Sequence, residues 1–237
     1  MLRDNQETAA VVFEKPDGEV GRAGGSSGKF GTRRKFPQVS ADLKTRWCSG
    51  ALKIDVMAAA LRNQPRFLNT RTLVVSGERA EESPNRARYH VLESHRTHTQ
   101  ARHVDHYRPV HDWKEADVWD AMRRHGVVPH PAYRLGWGRL SCRTCIFGDP
   151  DQWATINAVY PDTFKRIAGH EKDFNATIHR TEDVATHAAK GTVYSASLSQ
   201  PELAAMADGT EYTGPAIVDP HKWQMPAGAF IHSSGPT

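Results

Sequence analysis

Residues 74–89 read VVSGERAEESPNRARY, and the start of this stretch decides how the rest of the chain is read. It opens inside an apolar run, Leu73, Val74 and Val75, preceded by Arg71 and Thr72. A short β-branched run halted by Ser76-Gly77 predicts a buried strand. Arg79, Glu82, Ser83 and Arg86 follow directly. In open parallel sheets, ligands bind beyond the carboxyl ends of the strands. Glycine at such a place (here Gly77) lets a ligand approach the backbone, and arginines fork onto phosphate or sulfate oxygens. The same residues also read as a charged surface turn, with Glu82 and Arg86 as an i, i+4 pair worth about 0.3–0.5 kcal/mol.

Upstream, residues 49–63 (SGALKIDVMAAALRN) predict a helix with Leu52, Val56, Ala59 and Ala60 on one face. Residues 1–35 are interrupted by Gly18, Gly21, Gly24, Gly25, Gly28 and Gly31, and read as loop or flexible segment. Downstream, residues 110–126 (VHDWKEADVWDAMRRHG) are the clearest helix. Asp112 and Glu115 stand as in a capping box, Trp113, Ala116, Val118, Trp119 and Met122 supply apolar surface, and Gly126 is the stop. Residues 130–148 form a glycine-punctuated loop, and 149–178 two helices broken near Pro161. From Tyr194 the pattern weakens. The expected organisation is a basic, glycine-rich segment over 1–35, an α/β domain over 36–193 and a weakly structured tail over 194–237.

The 237 residues suffice for one large domain or two small ones. No apolar run approaches the roughly 18 residues of a membrane span, and the first residues show no apolar signal region. Three cysteines argue against a secreted disulfide scaffold and point to a reducing, cytoplasmic setting. Residues 61–150 carry 15 Lys/Arg against 10 Asp/Glu, whereas 151–237 carry 6 against 10, so the basic excess sits in the middle. That balance suits a phosphate-bearing ligand and equally describes a solvated mixed-charge surface.

Cys142 and Cys145 form a C-x-x-C in GRLSCRTCIF, residues 138–147. The spacing lets two thiolates face one metal or cluster, suits a redox dithiol, and also accommodates two small buried residues. Arg139, Arg143 and Arg46 add the positive charge that favours thiolates. The third thiol, Cys48, precedes Cys142 by 94 residues, so only the fold can bring it near. No spaced histidine pair completes a zinc-finger pattern. Eight histidines fall between His90 and His130 and read mainly as exposed surface; Trp113 and Trp119 read as core.

Taken in order, FPQVSADLKTRWCSGALK, VVSGERAEESPNRARY, HYRPVHDWKEADVWDAMRRHGVVPHPAY, GWGRLSCRTCIFG and NAVYPDTFKRIAGHE resemble the phosphoadenosine phosphosulfate (PAPS) reductase family, within the PP-loop adenine-nucleotide α-hydrolases. The likeness covers residues 36–171 and is nearest to the branch holding phage-encoded members and DNA-phosphorothioation sulfurtransferases.

The resemblance implies a Rossmann-like, doubly wound, mostly parallel sheet, and an enzyme acting on an adenine nucleotide, ATP or PAPS, in sulfur transfer or sulfonucleotide reduction. It implies that Cys48, Cys142 and Cys145 hold an iron–sulfur cluster, of four irons and four sulfurs. Catalysis would fall to Cys142, Cys145 and Arg79. Gly77, Arg79, Glu82, Ser83 and Arg86 would line the nucleotide pocket, with Arg46 and Lys53 beside it. The family's fourth cysteine and its phosphate-cradling PP-loop have no counterpart here. AGGSSGK, residues 23–29, has the glycines of an anion nest but lacks the aspartate. Weak or absent nucleotide hydrolysis by the isolated chain is therefore expected. Two other readings stand beside the enzyme. One is a binding module that joins a partner chain supplying the PP-loop half, or binds DNA or tRNA. The other is a structural zinc protein using the same three cysteines and a histidine.

Overall fold

Alternation of buried and exposed side chains along two parallel strands places the core of the first part of the chain. The computed structural model describes residues 11–14, 20–23, 35–40, 42–140, 142–209 and 212–231. Met1–Asp112 form one unit and Trp113–Pro236 a second.

In the first unit, β1 (Val11–Glu14) and β2 (Val20–Ala23) pair as an antiparallel hairpin inside the stretch read as loop. The AGGSSGK segment beyond Ala23 lies outside the described residues. A helical run then covers 47–63: α1 (Trp47–Ser49), a π-helical turn (Gly50–Ile54) and α2 (Asp55–Asn63). This matches the expected helix, but its inner face differs. The buried residues are Cys48, Ala58 and Leu61, while Val56, Ala59 and Ala60 are half-buried and the Leu52 side chain lies outside those described. The π turn adds residues to one helical turn, so everything beyond it is rotated away from a 3.6-residue pattern.

β3 (Arg71–Val75), β4 (Leu92–Ser94) and β5 (His103–Tyr107) form a sheet in the order β3–β5–β4. β3 and β5 are parallel, with Arg71 opposite His103 and Val75 opposite Tyr107; β4 is antiparallel to β5. Helices with a small sheet built on a parallel pair give the expected α/β class. The strand is where expected, but only Val74 of its apolar run is buried; Leu73 and Val75 are 56% and 58% exposed. Successive strand residues point to opposite faces. Val74 and Val104 therefore meet Leu61 and Phe67 in the core, and the other face stays open to solvent.

The second unit is helical. α3 (Glu115–Arg124) starts later than expected: Lys114, not Asp112, is the N-cap, and its N–H donates to Asp117 Oδ2 at 2.7 Å. Trp119 is the buried apolar anchor, its Nε1 donating to Glu115 Oε1 at 2.9 Å, whereas Trp113, read as core, precedes the helix and is exposed. Gly126 ends the helix as expected, at φ +63°, where a Cβ would lie 1.9 Å from the Val218 carbonyl oxygen. α4 (Pro131–Arg134) leads into the cysteine loop. α5 (Pro150–Val159) is capped by Asp149, and Pro161 starts α6 (Pro161–Phe174), the break the sequence shows. α7 (Val184–Ala188), α8 (Ser195–Ser199) and α9 (Pro201–Asp208) follow. The weakly patterned tail is thus ordered in part. Ser197 Oγ donates to the Leu135 carbonyl at 2.9 Å, and Trp223 Nε1 to that of Val127 at 2.8 Å. Among the described residues, no helix is long and apolar enough to cross a membrane.

Candidate functional site

The first unit carries its polar chemistry at the carboxyl ends of β3 and β5, where Ser76 and Arg108 follow the strands. Arg108 is 4% exposed and is the centre of the group. Its Nε donates to Glu78 Oε2 at 2.5 Å and its Nη1 to the His90 carbonyl at 2.7 Å. Nη1 also lies 2.8 Å from Glu93 Oε1, and the guanidinium sits 4.7 Å above the Tyr89 ring. Arg108 Nη2 is 3.0 Å from His106 Nδ1. A guanidinium can only donate, so Nδ1 accepts and the proton lies on Nε2. That Nε2–H faces Ser76 Oγ at 2.8 Å, and the Ser76 hydroxyl donates to Glu78 Oε2 at 3.2 Å. The chain of donors ends on a carboxylate, which orders the loop and leaves no ring nitrogen to take a proton from Ser76. Burial and then the Arg108 charge push His106 below its usual range. Burial alone would raise Glu78, but hydrogen bonding and charge from Arg108 outweigh it and hold the carboxyl low.

Of the residues expected to line a nucleotide pocket, Glu82 and Arg86 lie in the next two turns, Ala80–Glu82 and Arg86–Arg88, and Arg79 and Ser83 bound the first of them. The structure brings Arg79, Glu82, Ser83 and Arg86 together. Arg79 pairs with Glu81 and, through Nε, lies 3.8 Å from Glu82. Arg86 Nη1 lies 2.7 Å from Glu82 Oε2, and buried Ser83 accepts the Arg86 N–H at 3.3 Å. Both arginines are thus held by carboxylates that an anionic ligand must displace or share. A Cβ at Gly77 would meet nothing within 4 Å, so the space beside it is open. His111 anchors the loop from below: Nε2 faces the Arg86 carbonyl at 2.9 Å and Nδ1 faces Asp112 at 3.1 Å. Two acceptors on one ring favour the imidazolium, and these bonds raise His111 above its usual range. Arg46 and Cys48 flank the start of α1, Cys48 buried and Arg46 half-buried; Lys53 is exposed.

The second unit holds the C-x-x-C. Cys142 and Cys145 line a cavity of about 260 Å³ together with Arg139, Arg143, His130, Gln152, Tyr160 and Asp208. Cys145 is buried and Cys142 half-buried. Arg143 is fixed from several sides. Its guanidinium stacks 4.2 Å from the Tyr160 ring, Nη2 donates to Thr163 at 2.6 Å, and it pairs with Asp208 of α9. Arg139 stacks 5.5 Å from Phe147. Gly148 turns the chain back against Trp153, where a Cβ would lie 2.7 Å from Nε1. Among the described residues, no three His, Cys, Asp or Glu side chains group as a metal site. The cavity offers two thiols where a tetrahedral zinc or iron–sulfur centre wants four donors. Within the second unit, the described cysteines supply two of those four donors.

Sequence reasoning gave no site role to Glu78 or Arg108, took Ser76 only as the stop of the strand, read His106 as one of a run of mainly exposed histidines with metal ligation as the minor alternative, and passed over Tyr160 and Asp208 in the cavity; His106 is in fact half-buried. Arg108 was open to discovery, because it follows a strand just as Ser76 does. Tyr160 and Asp208 were not, because only packing brings α9 to the cysteine loop.

That loop is tied down by a histidine stack. His187 Nε2 faces the Gly148 carbonyl at 3.2 Å and Nδ1 faces Glu182 at 2.8 Å, so both nitrogens have acceptors. His179 stacks on this ring, centroids 3.8 Å apart. Burial, with the neighbouring His187 charge, lowers His179 to about 4. An unfolded chain takes this proton near pH 6.5, the folded one only near 4. Protonation therefore favours unfolding as pH falls through that window. The partly shielded ring is expected to contribute a loss of about 1–2 kcal/mol, absent in His179→Phe and read from urea unfolding between pH 7 and 4. A wild-type curve parallel to that of the variant would refute this.

The family model for the phosphoadenosine phosphosulfate reductase domain matches residues 29–147, about half of the chain. That segment contains Cys48, the loop after β3 and both cavity cysteines. Over 138 residues the chain is 33% identical to an uncharacterized 37.8 kDa protein of Escherichia phage 186, covering 58% of this chain and 40% of that one. It is 35% identical over 71 residues to adenosine 5'-phosphosulfate reductase of Burkholderia cepacia, covering 30% of this chain and 27% of the enzyme. It is 29% identical over 98 residues to adenosine 5'-phosphosulfate reductase of Allochromatium vinosum, covering 41% and 34%. The chain thus spans well under two thirds of the relatives it matches. No solved structure matches it. A match over half its length, spanning both groups of candidate residues, makes this chain a member of the phosphoadenosine phosphosulfate reductase domain family.

Proposed function

We propose that the chain processes an adenine sulfonucleotide, or an adenine nucleotide used in sulfur transfer. One observation carries the reading: two thiols open onto a cavity with Arg139 and Arg143, at the end of the segment that matches the family model. The loop from Gly77 to Arg86 receives the nucleotide, its arginines moving from Glu81 and Glu82 onto phosphate or sulfate oxygens. Cys142 and Cys145 handle the sulfur group, with the fixed guanidinium of Arg143 stabilising oxyanion charge. Cys48, Cys142 and Cys145 are the candidate thiolate ligands of an iron–sulfur cluster in the whole protein, zinc being the lesser alternative. When bound, such a cluster would supply electrons or carry sulfur.

The test is anaerobic purification with iron, zinc and sulfide analysis, and equilibrium dialysis against ATP and adenosine 5'-phosphosulfate. Nucleotide binding that weakens at least 10-fold in Arg79→Ala/Arg86→Ala is expected, with iron and sulfide present in wild type and lost in Cys142→Ala. Colourless protein with one zinc would move the cysteines to a structural role.

A second reading, a module that docks on a partner chain, has one observation in its favour. The open face of the sheet carries Leu73, Val75, Tyr107 and Leu92, the last 62% exposed. A preparation that binds neither nucleotide nor metal would favour this reading.

A further inference from the structure

At the other end of the sheet from Ser76 and Arg108, two segments meet that contain no carboxylate. Residues 62–71 hold Arg62, Arg66 and Arg71; residues 95–103 hold Arg96 and Arg102 with His95, His98 and His103. Neither segment has an aspartate or glutamate. Arg102 Nη2 donates to the Arg62 carbonyl at the end of α2, at 3.1 Å. The Asn69 N–H donates to the Ala101 carbonyl at 3.0 Å, and Arg71 stands opposite His103 in the parallel register. Arg66 stacks 4.6 Å from Phe67, which packs on the Leu61–Val74–Val104 core. The cations are therefore displayed from a packed base.

Asp55 pairs with Arg96 at 3.3 Å. Among the described residues, no carboxylate pairs with Arg62, Arg66, Arg71 or Arg102. Asp105 lies two positions along β5 from His103. The excess positive charge is felt nearby. His95 is pushed below its usual range by burial and then by His106, Arg96, Arg108 and Arg62. Elsewhere in the unit, Arg79, Arg86 and Arg108 each have a carboxylate partner. Leaving several exposed arginines unpaired on one edge is what a polyanion requires.

We propose that this edge, the amino ends of β3 and β5 with the end of α2, binds the phosphodiester backbone of a nucleic acid without reading its sequence. Guanidinium groups match phosphate oxygens bidentately. Among the exposed residues between the arginines, Asn63, Asn69, Thr70, Thr99 and Gln100 are polar, with side chains that can hydrogen-bond phosphates and sugars. A membrane-binding edge would instead carry exposed aromatic and leucine side chains among its cations, and Leu68 is the single large one in these segments. The site is separate from the loop proposed for the nucleotide and stands or falls without it.

The probe is a fluorescein-labelled DNA oligonucleotide of about 20 nucleotides and mixed sequence, titrated by anisotropy from about 50 to 200 mM salt. Wild type is expected to bind with steep salt dependence. Arg62→Ala/Arg66→Ala/Arg71→Ala is expected to bind at least 10-fold more weakly, with the log–log salt slope smaller by about 2–3. The corresponding triple lysine variant keeps the charge and is expected to stay within a few-fold of wild type. All three positions are exposed, and unchanged circular dichroism confirms that the variants fold. Four outcomes would overturn the proposal: no wild-type binding; binding undisturbed by the alanine variant; displacement of the oligonucleotide by millimolar ATP, which would put it on the loop after β3; or binding to phosphatidylserine vesicles in its place.

Discussion

Arg108→Leu is expected to destabilise the chain by about 2–4 kcal/mol in urea unfolding, among the largest effects of any single change. One buried guanidinium holds Glu78, Glu93, the His90 carbonyl and His106 Nδ1, and stacks on Tyr89. Its removal leaves those acceptors facing an apolar side chain. Breaking a fully buried ion pair costs about 3–5 kcal/mol. Here Glu78 and Glu93 are about one-third exposed, so water recovers part of that. Arg108→Lys keeps the charge but not the fork, and is expected to fall between. The variant has a spectroscopic signature as well. His106 is held low by burial and then by Arg108, so its NMR titration midpoint should rise when the charge is removed. A destabilisation below about 1 kcal/mol with His106 unmoved would show that the network is not what holds the loop.

Glu171→Ala should cost a similar amount, about 2–4 kcal/mol. The carboxylate is buried on α6 and accepts the Ile178 N–H at 2.9 Å and the Val184 N–H at 3.0 and 3.2 Å. Ile178 and Val184 are themselves buried, so no water replaces the lost acceptor. The chain between them forms the reversal from α6 to α7, and α7 carries His187, whose ring reaches Gly148 beside the cysteine loop. Glu171→Gln retains one acceptor oxygen and should recover about half of the loss. Hydrogen exchange gives the local readout. The Ile178 and Val184 amides should exchange much faster in Glu171→Ala, while those of the β3–β5 pair stay protected. Equal acceleration in both would mean global unfolding rather than loss of this bond.

The α/β class was legible through the family resemblance, and the strand ending at Ser76-Gly77, the α5–α6 break at Pro161 and the stop at Gly126 directly in the chain. Each of the last three rests on local physics: β-branched residues favour extended backbone, proline cannot continue a helix inward, and a positive φ favours glycine. The grouping of Arg79, Glu82, Ser83 and Arg86 was legible for the same reason, since two consecutive short turns bring them together. The inner face of α2 was not, because the π turn at Gly50–Ile54 shifts the phase and nothing in the periodicity announces it. The N-cap of α3 was displaced for a related reason. Asp112 is drawn to His111 at 3.1 Å, which leaves Asp117 to receive the Lys114 N–H.

By itself, then, the sequence determined several local elements, β3, α3, α5 and α6 among them, and the family. Only tertiary structure decided which residues work together. Arg108 became the hub of the first unit because parallel pairing sets the ends of β3 and β5 side by side, 32 positions after Ser76 in the chain. Arg143 acquired Tyr160, Thr163 and Asp208 because α6 and α9 pack beside the cysteine loop. Long-range partners are chosen by packing, and packing depends on the shapes of whole elements rather than on the spacing of residues within one.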